Sequence, residues 1–145
     1  MSAIEVPMSL AEVAEFFGGQ IIHSYTRAQA IADGALVDIT TTAREAGFRW
    51  PVAITAAAHA RTIAWDEGNG AMQDTDGRAW DVVWMGAHAA RTLNSPATRA
   101  VEFGVFVVPN TPGGSAEAAL VPLTLHLGGG DDGEPVLTIT LRGED

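Results

Sequence analysis

From Ile21 to Thr42 the chain alternates short apolar runs with polar punctuation, and the pattern reads as strand, helix, strand, helix. Ile21, Ile22 and Tyr25 form a short extended segment. Thr26 followed by Gln29 has the form of a capping box, in which two side chains take up exposed amides at a helix start. A helix is therefore predicted from Arg27, and Gly34 stops it, because glycine accepts the left-handed conformation common at helix ends. Leu36, Val37 and Ile39, with Asp38 among them, read as a strand, and Thr42 with Glu45 repeats the capping pattern.

On the N-terminal side, Ser9 with Glu12 predicts a short capped helix over Leu10 to Phe17, burying Val13, Phe16 and Phe17. On the other side, residues 43–48 suggest a short helix ending near Gly47. Trp50 and Pro51 then suggest a longer helix to about Trp65, with Val52, Ala56, His59 and Ile63 on one stripe. Residues 66–70 are a loop, and Gln73 to Arg78 has the Asp and Gly content of a tight turn that could join two short strands. Helical spacing returns from Asp81, a candidate cap, to Leu93.

The last third changes period. Val101 to Val108, Leu120 to Leu127 and Pro135 to Leu141 are β-branched or alternating runs separated by glycine-rich turns, and they predict three antiparallel strands. In the last strand Leu137, Ile139 and Leu141 should be buried, and Val136, Thr138, Thr140 and Arg142 should face water. The fold expected is α+β, with about four short helices packed on one face of a small antiparallel sheet whose last three strands are C-terminal. A length of 145 residues with 47% hydrophobic content suits one core, so residues 1–145 are read as a single domain.

Charge narrows the classes of function. There are 18 acidic residues against 8 basic ones, a net charge of -10, and every basic residue is Arg. Phosphate repulsion disfavours direct nucleic-acid or anionic-membrane binding, and a protein partner with a basic surface is favoured. Acidic charge also serves solubility. With no cysteine, disulfides and thiolate chemistry are excluded. No apolar run approaches the roughly 18 residues of a membrane span, and no basic region precedes an apolar core at the N-terminus, so a cytoplasmic location is expected.

The best catalytic constellation is His23, Tyr25, Arg27, Asp33 and Asp38, with an imidazole or carboxylate as base and the arginine holding an anion. The structural reading of the same residues is that Arg27 pairs with a carboxylate, Asp38 caps or bridges, and His23 lies on the surface. Ser24 lacks the G-x-S-x-G setting of a nucleophile elbow. His23, His59, His88 and His126 are scattered, and the Asp131, Asp132, Glu134 loop lacks calcium-loop spacing, so no metal is expected. Neither a phosphate loop nor a dinucleotide fingerprint is present, and no cofactor is expected. Trp50, Trp65, Trp80, Trp84 and Phe48 could line a groove or fill the core. The partner-contact candidates are the acidic loops: Asp66 and Glu67; Asp74 and Asp76; Asp131, Asp132 and Glu134.

Four stretches taken together carry a resemblance: SYTRAQAIADGALVDIT, TAREAGFRWPVAIT, GRAWDVVWM and GGGDDGEPVLTITL. Their combination resembles a family of small uncharacterised acidic proteins carried by bacterial plasmids, integrative elements and phages. The resemblance implies a setting in which neighbours deal with host defence or conjugation. The expected function is a non-enzymatic accessory protein that binds a host defence nucleoprotein complex, of anti-CRISPR or anti-restriction type, through its acidic surface. Two other readings stand beside it: a small enzyme with a site near His23 and Arg27, and a self-associating homodimer built on a strand edge or tryptophan surface.

Overall fold

The computed structural model describes residues 25–69, 72–92, 98–114 and 116–144. The helix read over Leu10 to Phe17, the extended Ile21 and Ile22, and His23 and Ser24 lie outside the described residues.

The capping box forms as its spacing demands. Thr26 Oγ1 accepts from the Gln29 amide at 3.0 Å, and Gln29 Oε1 accepts from the Thr26 amide at 2.8 Å. Helix α1 (Arg27–Asp33) follows and ends at Gly34, whose φ of 83° is open to glycine at little steric cost. Strand β1 (Leu36–Asp38) leads into α2 (Thr40–Glu45). The second capping box, expected from Thr42 and Glu45, is not formed. Asp38 Oδ1 accepts from both the Thr40 amide (3.0 Å) and the Thr40 hydroxyl (2.5 Å), and α2 starts at Thr40, three residues earlier than expected.

The long helix expected from Trp50 to Trp65 is instead two elements, β2 (Val52–Thr55) and α3 (Ala56–Thr62). Thr55 marks the boundary, its hydroxyl accepting from the Ala58 amide at 3.2 Å. Val52 fits a helical stripe with Ala56, His59 and Ile63, while Val52 and Ile54 together fit one face of a strand equally well. A neighbour decides between them: β2 pairs in parallel with the last strand, Val52 opposite Leu137 and Ile54 opposite Ile139. A single 3₁₀ turn (Glu67–Asn69) precedes α4 (Thr75–Ala90). The tight turn read over Gln73 to Arg78 is in fact the start of this helix. Asp74, not Asp81, is the cap, its Oδ1 accepting from the Gly77 amide at 2.7 Å.

The three C-terminal strands fall where the alternation places them: β3 (Ala100–Val107), β4 (Ala119–Gly129) and β5 (Pro135–Leu141). The sheet order is β1-β2-β5-β4-β3, antiparallel at every junction except β2–β5. The fold is α+β, as expected, and the sheet is mixed, not wholly antiparallel. Val52, Ile54, Leu123, Leu125, Leu137 and Ile139 share one face, and Ala43, Ala58, Val82 and Val83 of α2, α3 and α4 cover it.

Helix α1 departs from that arrangement. Arg27 reaches Thr138, which alternation puts on the opposite face from Leu137 and Ile139. There Ala30, Ala53 and Val136 are buried apart from the main core, so Val136 is covered where a wet face was expected.

Candidate functional site: an arginine-flanked apolar groove

Of the residues nominated around Arg27, Tyr25 meets Asp33 and Asp38 lies near Arg27, whose side chain ties α1 to the sheet, while His23 is outside the described residues. Arg27 donates from Nη1 to Thr138 Oγ1 and from Nη2 to the Leu137 carbonyl, both at 2.7 Å. Asp131, on the β4–β5 hairpin, accepts from the Arg27 amide (2.7 Å) and the Ala28 amide (3.0 Å), supplying the first turn of α1 with acceptors. The Tyr25 hydroxyl donates to Asp33 at 3.0 Å, and desolvation together with that bond raises its pKa. Desolvation lowers the Arg27 pKa, against the opposing pull of Asp38, Asp131 and Glu134. Asp38 is occupied by Thr40. The arrangement is a buttress, and its donors face protein acceptors instead of an open space.

The acidic loops separate into two groups. Arg78, only 4% exposed, draws the first together. Its Nε donates to the Ile63 carbonyl (3.1 Å), and its Nη1 donates to Gln73 Oε1 (3.2 Å) and the Val108 carbonyl (2.8 Å). The guanidinium also lies 4.9 Å from the Trp65 ring centroid. Asn110 accepts from the Asp66 amide at 2.9 Å and from the Asn69 side chain. The 3₁₀ turn and the start of α4 thus meet at one end of the sheet, and Asp66, Glu67, Asp74 and Asp76 are exposed there. Among the described residues no cation lies within ion-pair distance of these four.

Asp131, Asp132 and Glu134 lie beyond the far end of β4. That strand's 11 residues span about 36 Å, so the two acidic groups are not one patch. Two of these three carboxylates serve the fold: Asp131 at α1, and Glu134, whose Oε1 accepts from the Asp132 amide at 2.9 Å.

At the hairpin end the helices leave part of the sheet's apolar face uncovered. A cavity of about 380 Å³ opens there, with Leu125, Leu127 and Leu137 as its floor, Phe48 and Ala90 as walls, and Trp50 beside them. Arg49 and Arg99 flank it. Hydrogen bonding fixes the cross-section: the Leu137 amide donates to the Pro51 carbonyl (2.9 Å), Leu127 sits opposite Leu137, and the Leu127 amide donates to the Arg99 carbonyl (2.8 Å). Three strand spacings separate Pro51 from Arg99, a mouth of about 14 Å between backbones.

Trp50 is 42% exposed beside the cavity. Arg91, at the C-cap of α4, lies in an adjoining recess with Gly47, Phe48 and Ala90. Its charge suits the partial negative charge of the helix end. Three of the eight arginines therefore gather at one groove of a chain whose net charge is -10. Among the described residues none of their side chains has an ion-pair partner.

Arg49 and Arg99 were not singled out in the sequence. Phe48-Arg49-Trp50, a cation between two aromatics, is the local signal that could have marked one of them. Arg99 has no such signal, since only the β3–β4 pairing brings it there. The aromatic set divides: Phe48 and Trp80 pack on the core, Trp80 and Trp84 stack at 5.4 Å, and Trp84 is 42% exposed. Among the described residues no group of three or more His, Asp or Glu is placed to hold a metal ion. None of their helices is long and apolar enough to cross a membrane.

Residues 13–145 match a model described as a family of unknown function (DUF6573). No curated protein and no solved structure matches.

Proposed function

This chain belongs to the DUF6573 family, whose description assigns no activity, and from its own surface we propose that it is a non-enzymatic protein-binding module that engages a basic partner through its carboxylates. The observation that carries this reading is the grouping of Asp66, Glu67, Asp74 and Asp76 at the Arg78 and Asn110 end of the sheet. These carboxylates are exposed, with no cation within ion-pair distance of them among the described residues. Such a surface accelerates encounter with a cationic site and disfavours nucleic acid itself. The four sequence stretches that resemble proteins of plasmids, integrative elements and phages suggest the setting, and with it a partner that handles nucleic acid for host defence. Cation-lined nucleic-acid channels offer the complementary surface.

The test is a pull-down from bacterial lysate at low and high salt, with captured proteins identified by mass spectrometry. A variant carrying Glu67→Gln and Asp76→Asn is run alongside, because those two side chains have no bond holding the fold among the described residues. Capture of a nucleic-acid-handling complex at low salt, lost both at high salt and in the variant, supports the reading. Retention by the variant equal to the parent, or no specific capture, sinks it.

One observation favours self-association as a second reading. Phe106 and Leu120 sit opposite each other on the outer face of β3 and β4, at 69% and 53% exposure, and β3 is an edge strand. A concentration-dependent increase in mass by light scattering, abolished by Phe106→Ser, would support it; a monomer at every concentration would exclude it.

A further inference from the structure

The groove at the hairpin end has a chemistry opposite to the rest of the surface: apolar inside, cationic at its rim, in a strongly acidic protein. We infer that it is a binding site for a small amphipathic anion, an aromatic or aliphatic body bearing one carboxylate or sulfonate. The volume of about 380 Å³ falls within the range of small-molecule pockets, roughly 300–1,000 Å³. Leu125, Leu127, Leu137 and Phe48 offer the body a continuous apolar floor and wall. Trp50 closes on one side with a flat, half-exposed ring.

The charge of the occupant follows from the rim. Arg49 and Arg99 approach the cavity from opposite margins, one just before β2 and the other just before β3, so an anionic head at the mouth lies within reach of either fork. Neither guanidinium has a protein counter-ion among the described residues. The nearby hairpin supplies none within ion-pair distance: Asp131 is turned to the α1 amides, Glu134 to the Asp132 amide, and Asp132 makes no ion pair with either arginine. A neutral occupant would leave both cations unmatched, and a cationic one would be repelled. This inference is independent of the acidic end, which lies across the sheet.

The test uses the whole chain with two dyes of nearly the same apolar body, 8-anilinonaphthalene-1-sulfonate, an anion, and N-phenyl-1-naphthylamine, which is neutral. Binding is followed by dye fluorescence, and decanoate and a short acidic peptide serve as competitors. Arg49→Gln and Arg99→Gln remove the rim charges. Arg61→Gln removes the same charge at a cavity beside Asn110, at the other end of the sheet, and all variants are first checked for an unchanged thermal midpoint.

The expected result is saturable binding of the anionic dye, displaced by decanoate. Each rim variant weakens it about tenfold, Arg61→Gln changes it less than twofold, and the neutral dye responds to none of them. The inference is overturned if the neutral dye binds as tightly, if Arg61→Gln weakens binding as much as Arg99→Gln, or if no saturable binding occurs. Displacement by the peptide but not by decanoate also overturns it, and assigns the groove to an acidic protein segment.

Discussion

Arg78→Ala tests whether the buried guanidinium holds together the end of the molecule that carries Asp66, Glu67, Asp74 and Asp76. Arg78 is 4% exposed and donates to two backbone carbonyls, Ile63 and Val108, and to Gln73. Its remaining buried nitrogen, Nη2, has no partner among the described residues. Truncation leaves the two carbonyls without this donor at about 1–3 kcal/mol each, and removes a stem packed near Trp65. Against this stands the relief of a buried charge that has no carboxylate bonded to it, and such relief can favour an apolar replacement.

The two terms leave a net destabilisation of about 3 kcal/mol. For a chain of this length that is a fall of roughly 6–12 °C in the thermal midpoint. Urea unfolding should show a lower midpoint at unchanged slope. Arg78→Met keeps most of the stem and removes only the donors, so it should recover part of the loss and remain about 2 kcal/mol below the parent. If Arg78→Met equals or exceeds the parent in stability, the hydrogen-bonded hub is not what joins α4 to the β3–β4 connection. The assignment of the acidic end to one rigid surface would then fail with it.

Other perturbations probe the remaining joints. Ile139 is fully buried on central strand β5, and Ile139→Ala should cost about 2–5 kcal/mol in urea unfolding; a loss under about 1 kcal/mol would mean the helices do not close over the sheet. Asp131→Ala removes the hairpin carboxylate from the first turn of α1. It should cost about 1 kcal/mol and speed hydrogen exchange at the Arg27 and Ala28 amides, while the β5 amides stay protected. Burial lowers the His59 pKa below its ordinary 6.5, so from about 6.5 down to the folded value the unfolded chain holds more protons. Stability should therefore rise with pH through that window, level off above it, and fall on acidification. His59→Gln should flatten the acid limb just below pH 6.5, and an unchanged limb would mean the imidazole is not desolvated.

Elements whose signals are local were legible in the chain itself. The Thr26 and Gln29 box, the Gly34 stop, and the alternation of β3, β4 and β5 depend on residues a few positions apart, and each appears where the spacing places it. The misreadings share a cause. Val52 fits a helical stripe with Ala56, His59 and Ile63 until β5 lies beside it, and Asp74 looks like a turn residue until α4 grows from it. The candidate site followed the same division. The exposure of the acidic loops follows from polarity, but their separation into two ends of β4 follows from strand order.

What the sequence determined by itself is the class of fold, the capped start of α1, the three C-terminal strands and a strongly acidic chain without lysine, because propensity, period and charge are carried by near neighbours or by simple sums. Only the tertiary structure decided the parallel β2–β5 junction, the role of Arg27 as a tie between α1 and Thr138, and the meeting of Arg49 with Arg99 around an apolar groove. Those depend on contacts between residues some 50 to more than 100 positions apart in the chain. Neither member of such a pair carries a mark of the other, and packing of the core alone brings them together.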